Sequence, residues 1–483
     1  MNLITRAQAP APVAGRRATL SLLVVLFASF MDLLDVTIVN VAAPDIADDL
    51  HASPAQLQWM LAAYTLALGS GLVTGGRLGD AYGRRRVFLV SLAFFAVASA
   101  ACALAPSAGV LIAVRIAQGL AGGFMVPQVF GIIRSSFEPA AMAKAFGAYG
   151  GVQGLASVAG PLLGGALVDA NLWDLGWRTI FWINIPVAAL ALLLGARVLP
   201  ESTAEARARL DLVGAGLSAT AVVLVLLPLV QGRDWGWPWW GWGLLCSGAL
   251  LLAGFLRYEQ ASSHRGGQPI LDPALLKIRS FTAGLAASVL FFGALASFFL
   301  VLSIYLQAGT GRSAWETGVV VLPYAIGSMI TSGAGVALAA KAGRALLITG
   351  ALTLAASQAL VWLLVREGGA PGYWPLAAAL FLGGLGLGLG APILVTIVLA
   401  GVPGRHAGAA GGLLSTVNQI GGAVGVAVLG TVFFGALPAA APADTTTTFG
   451  HALAQVMPWQ VGAYVLAAAA MLTLPRTTAA RQA

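Results

Sequence analysis

The chain has 483 residues, of which 59% are hydrophobic and only 9% charged, with a formal net charge of +8. Soluble globular domains are about 45–50% apolar and about 25% charged, so this composition excludes an ordinary soluble protein. The basic excess does not indicate a nucleic-acid partner, because the arginines lie in short runs between apolar segments, where basic residues set the orientation in a membrane.

Apolar segments follow one another along the whole chain. A helix that spans a bilayer needs roughly 20 mostly apolar residues. Fourteen segments of this kind are predicted, at 18–44, 56–76, 86–105, 109–133, 143–168, 178–198, 212–230, 240–257, 281–306, 316–340, 345–365, 373–400, 407–435 and 455–475. The first is too long for the core of a signal peptide and contains two aspartates, so we expect it to be retained. The sequence predicts an all-α membrane protein with fourteen transmembrane helices.

The basic residues predict the orientation of these helices. With the N-terminus inside, four of the 26 lie outside and one within a helix, which leaves 21 inside. The five exceptions are Arg178, Arg233, Arg312, Arg366 and Arg115. This bias places both termini in the cytoplasm. The excess of arginine over lysine, with abundant alanine and glycine, is typical of GC-rich codon usage and indicates a bacterial inner membrane as the location.

The reactive residue types are few and scattered. Cys102 and Cys246 each lie inside an apolar segment, which does not indicate a disulfide framework. The four histidines show no metal-ligand spacing, and no arrangement of a nucleophile with a base is present. We therefore expect no metal, no cofactor and no enzymatic activity.

Two parts of the chain repeat each other. A shift of 261 residues superposes five glycines on five others, Gly147, Gly150, Gly151, Gly160 and Gly164 on Gly408, Gly411, Gly412, Gly421 and Gly425. A shift of 260 superposes Gly75, Leu78, Gly83 and Arg84 on Gly335, Leu338, Gly343 and Arg344. We predict two six-helix halves, at 1–200 and 280–483, joined by a linker at 201–279 that holds two extra helices. Halves repeated in this way place a substrate at their interface near the bilayer midplane.

The first segment carries two carboxylates near its midpoint. Asp32 and Asp35 lie three residues apart, roughly 60° apart around a helix axis. Charged groups at this depth are costly and mark functional sites by default. Arg115, in the fourth segment, is the predicted partner of this pair, although a purely structural Arg–Asp tie is the alternative. Burial raises the pKa of a carboxyl group, and a nearby guanidinium lowers it. A carboxyl group under both influences is suited to binding and releasing a proton, whereas arginine stays protonated.

The link between the second and third segments has a recognisable sequence, GRLGDAYGRRR at 76–86. Its glycines permit a tight turn, its arginines hold it inside, and Asp80 is placed to cap the N-terminus of another helix. This stretch resembles the signature loop of the major facilitator superfamily, with Ala81 where that loop usually has a basic residue. The resemblance implies a cytoplasmic gate loop formed by Gly76, Asp80, Gly83, Arg84, Arg85 and Arg86.

Three further stretches resemble the fourteen-helix drug:proton antiporter family of that superfamily. The first is LDVTIVNVAAP at 34–44, and the last is WR at 177–178 followed by FWINIP at 181–186. The second resembles the antiporter motif of the fifth helix, with Gly151, Gly154, Gly160, Pro161, Gly164 and Gly165. Glycines at helical spacing also suit plain close packing, so a simple packing seam is the alternative. On this resemblance Asp35 is the preferred proton-coupling residue, with Asp32 the contact for a cationic substrate.

The resemblance implies export of drugs, natural products or other amphipathic small molecules in exchange for protons, by rocking of the two halves. Six mid-helix polar side chains are candidates for the substrate cavity: Tyr64, Gln118, Gln153, Asn184, Asn418 and Gln419. A proton-coupled nutrient symporter of the same fold, or a membrane receptor or scaffold that transports nothing, are the alternatives. We expect a monomer surrounded by lipid, with protons and a small molecule as partners. The sequence does not identify the substrate or the number of protons.

Overall fold

The computed structural model describes most of the chain. The described residues are 15–201, 211–232, 235–265, 275, 277–367, 370–400, 402, 407–438 and 444–474. They form fourteen helices of fifteen residues or more. These are α1 Gly15–Asp49, α2 Pro54–Tyr82, α3 Arg84–Ala103, α4 Ala108–Ser136, α5 Pro139–Asp169, α6 Asn184–Val198, α7 Leu212–Gln231, α8 Trp239–His264, α9 Arg279–Ile304, α10 Ala314–Ala342, α11 Arg344–Val365, α12 Tyr373–Ala400, α13 Ala407–Gly435 and α14 Thr445–Met471.

Each predicted segment overlaps one of these helices, so the all-helical fold is confirmed. Ten described helices are long and apolar enough to cross a membrane, and α2, α5, α7 and α10 are not among them. The predicted segment 455–475 begins ten residues after the start of α14 at Thr445. The first turn of α14 is a run of threonines that follows the N-cap Asp444, and its polar character hides the start of the helix from a search for apolar residues. A short helix at Thr179–Trp182 precedes α6 and belongs to the same apolar stretch.

Local sequence explains where several helices begin and end. Ser53 and Gln56 form a capping box at the start of α2, and Pro54 occupies the first turn, where its missing N–H costs nothing. A single residue, Gly83, separates α2 from α3 with φ at +97°, a conformation that favours glycine. The tight turn predicted between these helices is therefore present.

The helices pack in two sets with the same pattern. In the first set α4 packs against α2 and α3, while α5 packs against α1. In the second set α12 packs against α10 and α11, while α13 packs against α9. These pairs correspond one to one when α1–α6 are matched in order with α9–α14. The two sets therefore share one internal arrangement.

Contacts between the two sets run along two seams, α2 with α13 and α5 with α10. On the first seam Thr416 donates a hydrogen bond to the carbonyl oxygen of Gly69 at 2.8 Å. On the second the main-chain N–H of Trp315 donates to Asp169 at 3.3 Å. Helices α7 and α8 pack on each other, and α7 also contacts both α2 and α13. The extra helices thus lie beside the α2–α13 seam.

Candidate functional site

The centre of the first set contains a buried ion pair. Arg115 of α4 donates through Nη1 to Oδ2 of Asp35 on α1. Asp35 is 0% exposed and Arg115 is 1% exposed. The predicted partnership is therefore present in the structure. Two opposite charges in one dry site compensate each other, whereas either one alone would be costly.

Hydrogen bonds complete the surroundings of Asp35. Gln118 of α4 donates to Oδ1 of Asp35 at 3.0 Å and accepts from Arg115 at 2.9 Å. Asn184 of α6 donates to the same Oδ1 at 2.9 Å and to the hydroxyl oxygen of Ser99 at 3.0 Å. The carboxylate of Asp35 is therefore held by three side chains from two helices, in a fully satisfied network of the kind that resists rearrangement.

Asp32 has different surroundings although it lies one turn earlier on α1. It is 8% exposed, and the hydroxyl of Tyr64 on α2 donates to its Oδ1 at 3.0 Å. The guanidinium of Arg115 lies over the ring of Tyr64, 4.0 Å from the centroid, in a cation–π contact. Asp32 forms none of the described ion pairs. The two acids are thus distinguished by their partners.

Glycines of α4 make room for this arrangement. A Cβ on Gly122 would lie 2.5 Å from Oδ1 of Asp32, and one on Gly119 would collide with the carbonyl oxygen of Tyr64. Both positions therefore allow α1 and α2 to approach α4 closely enough for their polar side chains to meet.

The predicted cavity residues separate into two groups. Tyr64, Gln118 and Asn184 belong to the acid network described above. Gln419 packs against Gly69 across the α2–α13 seam, and Asn418 has an Oδ1 with no hydrogen-bond partner among the described residues. The side chain of Gln153 lies outside the described part of the structure. No single described cavity brings all six together.

The glycines of the fifth helix face two different neighbours. Gly160 and Gly164 lie against Thr37 and Ile38 of α1, inside the first set, and Gly165 lies against Ala314 and Trp315 of α10. Their repeat mates Gly421 and Gly425 likewise lie against α9, inside the second set. These four glycines therefore pack against helices of their own set, whereas Gly165 reaches the other set, because positions 160 and 164 share one helix face and 165 is turned about 100° from 164.

The remaining residues of the fifth-helix motif either contact α10 or lie outside the described part of the structure. The carbonyl oxygen of Pro161 lies against Gly318 of α10, so Pro161 and Gly165 together contact the second set. The environments of Gly151 and Gly154 lie outside the described part of the structure.

The gate-loop arginines bind groups of the first set. Arg85 donates through Nη2 to the carbonyl oxygen of Ala196 near the end of α6, and its main-chain N–H donates to Glu201 at 3.1 Å. The guanidinium of Arg84 packs against Gly131 of α4. A basic side chain at the last carbonyls of a helix stabilises that end. The side chain of Asp80 lies outside the described part of the structure, so its predicted role stays a prediction.

Sequence reasoning missed Ser99. Its hydroxyl accepts from Asn184 and donates to the carbonyl oxygen of Phe181 at 2.9 Å, which connects α3 to the start of α6. A serine within an apolar run carries no functional signal, since small hydroxyls commonly bond within their own helix. Only the packing of α3 on α6 identifies it.

Comparisons with known proteins agree with this geometry. A model of the Major Facilitator Superfamily matches residues 25–222 and 211–426. The probable actinorhodin transporter of Streptomyces coelicolor is 40% identical over 443 residues, 91% of this chain and 76% of that protein. The tetracenomycin C resistance and export protein of Streptomyces glaucescens is 36% identical over 434 residues, 88% of this chain and 78% of that protein. The crystal structure of a D-xylose–proton symporter, 14% identical, has a TM-score of 0.67 over 96% of this chain and 99% of that one, a likeness of fold alone.

Proposed function

We propose that this chain, a multi-pass membrane protein that belongs to the Major Facilitator Superfamily, exports amphipathic or cationic small molecules in exchange for protons. The relatives at 40% and 36% identity are named a probable transporter and a resistance and export protein. Neither these names nor the family description is that of an enzyme. The observation that carries the proposal is the unequal pair of buried acids on α1. A charged pair in a membrane protein interior is retained for function rather than for stability.

The family resemblance favours Asp35 as the proton-coupling residue, but on its surroundings we assign the exchange of proton and substrate to Asp32 instead. Asp35 already has a cation and two amides as partners, whereas Asp32 receives one described hydrogen bond, from Tyr64. A buried carboxylate without a cation is neutralised by a proton or by a positively charged ligand. Since one carboxylate takes only one of the two at a time, proton and cation replace each other there. Asp35 with Arg115 then positions α1 against α4 while this exchange occurs.

The two sets of helices supply the motion. We take 1–200 and 280–483 as halves that rock about the α2–α13 and α5–α10 seams, with 201–279 as the linker that carries the two extra helices. In this scheme all fourteen helices cross the bacterial inner membrane, both termini are cytoplasmic, and the protein is a monomer. Inward movement of one proton supplies ~2.3 kcal/mol per 100 mV and ~1.36 kcal/mol per pH unit. One or two protons are enough for a substantial substrate gradient.

Proteoliposomes with the full chain test the exchange. We expect a pH gradient to drive transport of the planar cation ethidium in the direction opposite to the protons, and a protonophore to abolish it. Asp32→Asn should reduce this flux at least tenfold. Ser29→Ala is the matched control, because the hydrogen bond described for Ser29 goes to the carbonyl oxygen of Val25 in its own helix at 2.8 Å. Ethidium flux in the same direction as the protons would indicate a symporter, and an undiminished flux in Asp32→Asn would exclude Asp32 as the exchange group.

A further inference from the structure

The second set of helices contains buried polar groups without hydrogen-bond partners among the described residues. Among these atoms are the hydroxyls of Tyr324 and Tyr464, both side-chain polar atoms of Gln358, and Oε1 of Gln460. All four residues are 2% exposed or less. Polar groups buried this deeply nearly always have partners, so an accumulation of exceptions calls for an explanation.

Ring contacts place the two tyrosines in one region, and the two glutamines lie close to it along their helices. Both tyrosines adjoin one stretch of α9, because the ring of Tyr464 contacts that of Phe291 and the ring of Tyr324 contacts that of Phe298. Gln460 lies one turn before Tyr464 on α14. Gly383 of α12 packs against both Tyr324 and Ser357. Gln358 directly follows Ser357 on α11. We call Tyr324, Gln358, Gln460 and Tyr464 the amide–phenol cluster.

Aromatic rings line the cluster. The ring of Phe291 lies 5.6 Å from that of Tyr464, and the ring of Phe299 lies 5.0 Å from that of Tyr324, each edge to face. Phe298 lies 6.3 Å from Tyr324. Rings at these separations offer faces and edges to a planar aromatic molecule. The cluster thus combines uncharged hydrogen-bonding groups with aromatic walls.

The cluster corresponds to the acid network of the first set. Gln460 of α14 donates to Ser297 of α9 at 3.1 Å, as Asn184 of α6 donates to Asp35 of α1. Ser297 lies 262 residues after Asp35, close to the 260–261 shifts of the repeat. By the same correspondence Gln358 stands near the position of Ser99, at a shift of 259.

The charges of the first network are missing from these positions. Gly119 meets the carbonyl of Tyr64 as Gly384 meets that of Tyr324, so α4 and α12 correspond at a shift of 265. This shift places Leu380, which is fully buried, at the position of Arg115. Ser297 stands in the place of the acid. The second set therefore keeps the amide contact of the repeat but has neutral groups where the first set has an ion pair.

A cavity near the cluster provides a second observation. A cavity of about 370 Å³ is lined by residues of α10, of the start of α12 and of the turn before α10: Arg312, Trp315, Glu316, Val319, Val320 and Tyr373. Val320 lies one helical turn before Tyr324 on α10. Space for a small molecule therefore exists one turn from the cluster, on the same helix.

We propose that the amide–phenol cluster binds the uncharged, planar aromatic part of the substrate, through hydrogen bonds to its hydroxyl and carbonyl groups. Glutamine amides and phenols both donate and accept, so they suit a ligand that carries both kinds of group. The absence of charge in the cluster selects against a cationic ligand there, and leaves any positive charge of the substrate to Asp32. The inference rests on the proposed export function and names a substrate class for it.

Binding of two probes to the purified full chain tests the assignment. The probes are 1,8-dihydroxyanthraquinone, which is planar and carries hydroxyl and carbonyl groups, and tetraphenylphosphonium, a cation with no hydrogen-bonding group. We expect Gln358→Leu and Gln460→Leu each to raise the Kd of the anthraquinone at least tenfold and to leave that of the cation unchanged. Tyr324→Phe and Tyr464→Phe, which keep the rings, should raise the first Kd several-fold.

Two variants serve as controls. Thr317→Val removes a buried hydroxyl that also lacks a described partner, two turns before Tyr324 on α10, and should change neither Kd. Asp32→Asn should show the reverse pattern, with weaker binding of the cation alone. Unchanged cation binding in the glutamine variants also shows that they are folded.

Three results would overturn the assignment: no anthraquinone binding to the wild type, an unchanged Kd in both glutamine variants, or an equal loss of both probes in those variants. The last result would mean that the cluster is part of the scaffold only. A different result would contradict the export proposal. A wild-type protein that binds both probes with the expected variant pattern, yet moves neither across a liposome membrane, would leave the site standing and remove the transport function.

Discussion

At the scale of single residues, the partners of a buried charge determine its role. Asp32 and Asp35 have the same chemistry and lie on one helix, but only Asp35 has a guanidinium beside it. Removing one member of a buried pair leaves an uncompensated charge, which is far more costly than removing both. The stability of the first set should therefore depend on Asp35 and Arg115 as a unit.

Arg115→Met should lower the free energy of unfolding by roughly 3–5 kcal/mol, because it leaves the carboxylate of Asp35 buried without a cation. Adding Asp35→Asn to the same chain should recover part of that loss. Denaturation in detergent of the wild type, both single variants and the double variant gives the coupling as a double-mutant cycle.

The exposed pair of Arg178 and Asp49, 2.7 Å apart, is the matched control. Its side chains are 28% and 47% exposed, so Arg178→Met should cost no more than about 1 kcal/mol. Strictly additive losses for Arg115 and Asp35 would show that the two residues do not stabilise each other.

At the scale of elements, the position of a glycine around the helix determines what it controls. On α5, Gly160 faces α1 within the first set, and Gly165 faces α10 across the seam. A Cβ on Gly165 would lie 2.6 Å from Cα of Trp315, a main-chain atom that cannot turn aside. The same substitution at the two positions should therefore disturb different parts of the cycle.

We expect Gly165→Leu to hold α5 away from α10 and to let protons leak through liposomes that contain no substrate. Gly160→Leu should abolish export by displacing α1, which carries both acids, with a smaller leak. Proton leak and ethidium flux measured on one preparation distinguish the two effects.

Gly216→Leu on α7 is the control for bulk, since a Cβ at Gly216 meets no atom within 4 Å. It should leave both fluxes near the wild-type values. Equal leak in all three variants would contradict the division of α5 into two faces.

At the scale of the whole molecule, two hydrogen bonds join the sets near one end of the helices. Gln307, just after α9, donates to the carbonyl oxygen of Val41 on α1 at 2.6 Å, and Asp169 at the end of α5 accepts from Trp315 at the start of α10. Both contacts lie at helix ends that the distribution of basic residues predicts to be outside. An alternating-access cycle requires them to separate and re-form.

A disulfide between Asp169→Cys and Trp315→Cys should therefore stop ethidium transport, and reduction should restore it. The experiment needs a Cys246→Ser background, because Cys246 is exposed, whereas Cys102 is buried. Transport is compared before oxidation, after oxidation and after reduction in the same proteoliposomes.

A second cysteine pair, at Asn171 and Asp174, lies within one loop of the first set, where Asn171 donates to Asp174 at 3.3 Å. Oxidation of this pair should leave transport unchanged. Full activity of the cross-linked Asp169–Trp315 pair would mean that α5 and α10 do not separate at their outer ends.

The sequence by itself determined the class of the protein and the positions of its helices, because apolar length and glycine spacing are local properties of the chain. It also identified Asp32, Asp35 and Arg115, since charges within apolar helices are conspicuous. The pairing of Asp35 with Asn184 joins residues 149 positions apart, and no local pattern contains it. Only the tertiary structure decided that Gly160 faces α1 and that Ser99 bonds to Asn184. The same holds for the grouping of Gln358 and Gln460 with the two tyrosines. The physical reason is that helix packing selects which face of each helix meets which neighbour, and periodicity alone leaves that choice open.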